Sequence, residues 1–94
     1  MINDFTEKEI RNSILNKVKP QITHKGKHWK GSIYLKGILI SKVKIPNDHP
    51  YIMKEKKSQY IAKNLRLTDE QFNGLIECSI KGTEYYRIQK QLGY

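Results

Sequence analysis

The sequence predicts an α+β fold: one helix, a three-stranded antiparallel sheet, then two to three helices packed on one face. Three observations carry that expectation. Thr6-Glu7-Lys8-Glu9 and Thr68-Asp69-Glu70-Gln71 both match the capping box, in which a hydroxyl and an acid or amide three residues later satisfy each other's free backbone donors. Between them, residues 21–50 contain strand-forming runs punctuated by Lys-Gly pairs at Gly26, Gly31 and Gly37, which suit tight hairpin connections needing φ > 0. At 94 residues the chain makes one small basic domain, 1–94, burying about 60–65% of its unfolded surface, so a surface site is expected and no cofactor pocket.

The first helix should begin at Thr6, with Phe5 stapled onto Ile10. Ile10, Ile14 and Val18, joined by Leu15, form one apolar stripe at helical spacing, and Pro20 ends it. Strands are expected near Gln21 to Lys25, His28 to Leu35 and Ile38 to Ile45, with Gly26-Lys27 and Lys36-Gly37 as turns. In the third, Leu39, Val43 and Ile45 alternate with Ile40, Lys42 and Lys44, and Pro46 stops the ladder. A turn-rich connector follows, mostly charged from Met53 to Lys57, and then a short helix from Ser58 to Leu65 with Ile61 and Leu65 inward. Thr68 opens the next helix, with Leu67 stapled onto Phe72, inner face Phe72, Leu75, Ile76 and Ile80, and Gly82 as its end. Thr83 is expected to cap a last helix carrying Tyr85, Ile88 and Leu92 and finished by Gly93.

The net charge of +9 is concentrated. Residues 17–66 contain 13 Lys or Arg against only Asp48 and Glu55, whereas the segments on either side each come to −1. A polyanion partner follows, because each phosphate neutralised by a cation releases counterions. A solvated lysine face is the bland counterpart. An acidic membrane fits less well, since the basic stretch lacks an amphipathic helix, and neither a transmembrane run nor a secretory leader is evident, so a cytoplasmic protein is expected. Cys78 sits among apolar residues as a structural thiol.

All three histidines and the only tryptophan lie between Gln21 and Pro50, so chemistry is expected there. His24 and His28 are four apart, about 13 Å on an extended strand at about 3.3 Å per residue, too far for one ion, and lysines surround them; no metal is expected. Neighbouring ammonium groups instead favour a neutral imidazole that acts as a base. On RNA such a base removes the 2′-OH proton while lysines stabilise charge on the phosphoryl oxygens. A histidine contacting phosphate without catalysis is the plainer reading. Trp29 and Tyr34 are candidates either for the core or for stacking on an unpaired base. The expected nucleic-acid contacts are His24, Lys25, Lys27, Trp29, Lys30, Tyr34, Lys42, Lys44 and His49.

Two resemblances compete. After an opening helix come Lys25-Gly26-Lys27-His28 with an aromatic next, Val43-Lys44-Ile45-Pro46-Asn47-Asp48-His49, and Ile61 to Phe72 ending Leu-Thr-Asp-Glu-Gln-Phe. Over about half the chain this resembles the HicA family of toxin–antitoxin ribonucleases, which have a double-stranded-RNA-binding-like fold and a Gly-Ser-His motif. The resemblance implies a metal-independent mRNA endoribonuclease with His28 as its catalytic residue and an antitoxin protein as partner. Lys27 stands where the family has serine, and both the meander and the tail beyond Gly74 are longer than the family's. Alternatively, residues 58–80 resemble a helix-turn-helix, with Ile61, Ala62, Leu65, Leu67, Phe72 and Leu75 at its packed positions, which implies a non-catalytic module that binds DNA. Against that, Arg66 stands where the turn commonly has glycine, and Asp69 and Glu70 open the second helix.

Overall fold

Thr6 starts the first helix as its chemistry dictates. In the computed structural model, which describes residues 1–77 and 80–94 and so leaves the expectation for Cys78 outside the described residues, the Thr6 hydroxyl accepts from the Glu9 amide at 3.1 Å. The Glu9 carboxylate in turn accepts from the Thr6 amide at 3.0 Å. Helix α1 runs Glu7–Ser13 and continues as a π-helical turn, Ile14–Val18, closed by the Lys19 amide on the Ile14 carbonyl at 2.9 Å. Lys19 takes a left-handed φ of 53°, and Pro20 then turns the chain into the sheet. Ile10, Ile14 and Val18 are fully buried, so the stripe survives the change of helix type.

Strands β1 (Gln21–His24), β2 (Trp29–Leu35) and β3 (Ile38–Ile45) form an antiparallel sheet in the order β1-β2-β3. Only one of the three Lys-Gly pairs is a tight turn. Lys36 and Gly37 join β2 to β3 with φ of 53° and 78°, the handedness that matches strand twist. Gly31 instead lies inside β2 opposite Val43, where a side chain would come within 2.8 Å of Pro20 Cβ; it permits close approach and makes no turn. Gly26 sits in the β1–β2 connection without a positive φ.

A bulge changes the phase of β3. Ile33 pairs with Ser41 and Tyr34 with Leu39, so Ile40 is the extra residue. Ile40 is therefore buried and Leu39 is 45% exposed, the reverse of strict alternation, while Val43 and Ile45 beyond the bulge point inward as expected.

Helix α2 spans Glu55–Asn64, three residues earlier than expected, and lies against β3, with Ser41 Oγ donating to the Asn64 carbonyl. Helix α3 spans Asp69–Ile76 behind its capping box and packs on α1 and α2, and Phe72 meets Phe5 edge-on at 6.3 Å. Gly82 does not end α3. It is the first residue of helix α4 (Gly82–Gln91), where an added Cβ would overlap the Lys17 carbonyl, so α4 sits directly on the π-helical turn. Thr83 is inside α4 and Lys81 holds the cap position, while Gly93 closes the helix with φ 98° as expected. On α4's inner face Tyr85 and Gln89 are fully buried and Leu92 is 57% exposed. The Tyr85 hydroxyl donates to the Leu65 carbonyl at 2.9 Å; burial, and secondarily Tyr86, holds its pKa far above the ordinary tyrosine value. Gln89 Nε2 reaches the carbonyls of Leu65 and Arg66 at 3.3 Å each, so α4 staples the turn between α2 and α3. Among the described residues no helix is long and apolar enough to cross a membrane.

Candidate functional site

The connector between β3 and α2 is stitched to the start of α1. Glu7 donates its amide to the Tyr51 carbonyl at 2.9 Å, Lys8 to the His49 carbonyl at 3.0 Å, and Met53 to the Phe5 carbonyl at 2.9 Å. These bonds bring the N-terminus of α1, the end of β3 and the first turns of α2 round one groove.

Trp29 fixes the sheet side of that groove. It pairs with Ile45 and is half-buried, and the Arg11 guanidinium covers its ring at 4.4 Å while donating to the Pro46 carbonyl at 3.0 Å. The ring is thus clamped from α1. His28, the residue before it, is exposed at the rim.

The groove is a cavity of about 350 Å³. His28, Trp29 and Lys44 line it from the sheet, Lys56, Lys57 and Tyr60 from α2, and Glu7 from α1, over an apolar floor of Ile45, Pro46, Met53 and Ile61. Three ammonium groups thus face one carboxylate. That carboxylate is already engaged, because Glu7 Oε2 lies 3.3 Å from His49 Nδ1, and the His49 ring packs edge-on against Tyr51 at 5.7 Å. A histidine, the aromatic side chains of Trp29 and Tyr60, and lysines that form no ion pair among the described residues suit a substrate that is both planar and polyanionic.

The expected contact residues divide. His28, Trp29 and Lys44 meet in the groove, and Lys30 and Lys42 join Lys44 in a neighbouring cavity of about 470 Å³. His24 does not join them; its imidazole lies over Gly26. Lys25 stays near Trp29, its ammonium 5.4 Å from the ring centre, and Lys27 is exposed in the same loop. Tyr34 is not core, being 42% exposed, and lies at the far end of β2 from Trp29, about 17 Å away at about 3.3 Å per residue. His49 lines neither cavity; its Nδ1 lies 3.3 Å from Glu7 Oε2. Lys56, Lys57, Tyr60 and Glu7 went unassigned from sequence. A helix starting at Glu55 puts Lys56, Lys57 and Tyr60 on one face at three- and four-residue spacing, which is the signal that would have found them.

The second helix of the helix-turn-helix resemblance presents a different surface. The turn does adopt the left-handed backbone that favours glycine, with Arg66 at φ 58°, its Nε donating to the Ile40 carbonyl at 2.9 Å. The face of α3 bearing Asn73 and Glu77 is covered, however: Asn3 donates its amide to Asn73 Oδ1 at 2.8 Å, Asn73 Nδ2 donates to the Met1 carbonyl at 2.8 Å, and Asn3 Nδ2 donates to Glu77. Gln71 is spent in the capping box. Helix α3 contains Asp69 and Glu70 and no basic residue.

No family model, curated protein or solved structure matches this chain. Among the described residues no three His, Cys, Asp or Glu side chains gather as a metal site.

Proposed function

We propose that this protein binds RNA in the groove between β2–β3 and α2 and cleaves it as a HicA-like ribonuclease, with His28 as general base. The observation that supports this most is that His28, Trp29, Lys44, Lys56 and Lys57 line one cavity. The order α1, β1, β2, β3, α2 is consistent with the resemblance. His28 takes the proton of a ribose 2′-OH, the 2′ oxygen bonds to the adjacent phosphorus, and the bond to the 5′ oxygen breaks. The departing oxygen is reprotonated by the imidazolium or by water, and the lysines stabilise the charge that builds on the phosphoryl oxygens. The nucleophile belongs to the substrate, so cleavage should need no added metal. The same reading includes an antitoxin protein that covers the basic groove.

Two measurements test the binding half. RNA affinity should fall steeply with salt, with a slope of about −3 to −4 in log K against log salt for four to six phosphates of a single strand. A flat titration from low to moderate salt contradicts it. Lys17 and Arg66 do not add to that count, because Lys17 donates to the Leu75 carbonyl and Arg66 to that of Ile40. In the second measurement, Lys42→Glu with Lys44→Glu should weaken RNA binding more than tenfold, whereas Gln71→Ala with Asn73→Ala should lower thermal stability and leave affinity unchanged. The reverse pattern would transfer binding to α3 and support a helix-turn-helix module that binds DNA.

A further inference from the structure

The cavity beside the groove carries features that the cleavage reading does not use. Lys30 and Lys44 stand directly opposite each other across β2 and β3, and Ser32 stands opposite Lys42, so register places all four on one face. Like charges directly opposite on a sheet destabilise it. Here Lys30 and Lys44 are so opposed and Lys42 lies beside them, with no carboxylate among the lining residues, and neither ion pair found among the described residues involves any of the three. Ser32 is only 4% exposed and lines the cavity. A hydroxyl and three ammonium groups lining one cavity, with no carboxylate among them, suit an anion.

We infer that this cavity is a phosphate subsite, with Ser32 donating a hydrogen bond to a phosphoryl oxygen and Lys30, Lys42 and Lys44 neutralising its charge. The inference rests on the RNA reading in one respect: Lys44 and Tyr60 line both cavities, so the phosphate held here is a backbone phosphate neighbouring the one at His28. Lys42 and Lys44 are two residues apart on β3, about 6.6 Å at about 3.3 Å per residue, so the subsite continues the groove. The subsite would set register on the strand, deciding which phosphate reaches His28.

The test uses the full chain and two probes, inorganic phosphate and short oligoribonucleotides with and without one extra nucleotide, followed by amide chemical shifts and calorimetry. Phosphate should shift the amides of Thr23, Ser32, Lys42 and Lys44 selectively. Ser32→Ala, which removes one oxygen with little change in volume, should weaken phosphate binding about tenfold, as expected for one hydrogen bond to a charged group. Lys42→Gln, on an exposed side chain, should do the same and guards against a folding defect in the serine variant. An oligonucleotide long enough to fill both cavities should bind more tightly than the shorter one, and Ser32→Ala should abolish that difference; if only free phosphate is affected, the site does not hold the RNA backbone and that part of the inference fails. Shifts spread evenly over the lysines, or variants that bind phosphate like the wild type, overturn the subsite. Selective phosphate binding without RNA cleavage would instead leave the subsite standing and remove the ribonuclease.

Discussion

His28→Ala is expected to lower RNA cleavage by about 10²–10⁴-fold, the usual loss for a positioned general base, while most RNA affinity remains. The affinity should survive because His28 is one exposed rim residue, whereas the lysines of the groove and the clamped Trp29 are untouched. Single-turnover rates compared with equilibrium binding separate the two effects. An equal loss in both would make His28 a phosphate contact, and unchanged cleavage would remove it from the mechanism. Stability should change little, since the His28 side chain is exposed.

Gly82→Ala should cost more stability than alanine at Gly26, Gly31, Gly37 or Gly93. Its Cβ would overlap the Lys17 carbonyl, a backbone atom that no side-chain rotation can move, so α4 must lift from the π-helical turn. Overpacking typically costs about 1–3 kcal/mol, and the upper end applies where backbone meets backbone, lowering the melting temperature of a domain this size by more than about 10 °C. Lifting α4 would also loosen Tyr85 and Gln89 from the Leu65 carbonyl. Gly37→Ala is the comparison: nothing lies within 4 Å, and only the left-handed φ of 78° opposes it, costing about 1–2 kcal/mol. Equal melting temperatures for the two variants would show that α4 does not depend on that close approach.

Features set by neighbouring residues were legible in the sequence. Both capping boxes, the Ile10-Ile14-Val18 stripe, the Lys36-Gly37 turn and the stop at Pro46 depend on chemistry within four residues, and each stands where it was expected. The Ile40 bulge was not legible, because a period-two pattern cannot show one inserted residue until the pairing with β2 is known. Gly82 reads equally well as a helix end or a helix start, and only the position of Lys17 decides between them. The site divides in the same way. His28, Trp29 and Lys44 belong to the glycine-punctuated stretch that concentrated the histidines. Lys56, Lys57 and Tyr60 reach the groove only because α2 lies against β3 and the connector is tied to α1, and both are long-range facts.

The central claim is that the groove holds RNA so that its own 2′-OH attacks. The most direct measurement presents purified protein, without added metal, with one RNA strand and the same strand carrying a single 2′-deoxyribose at the cleaved position. Cutting of the all-ribose strand to a cyclic phosphate end, with the substituted strand bound equally well but intact there, is the predicted result. Cleavage of both strands at that position, or of neither over a range of sequences, contradicts it.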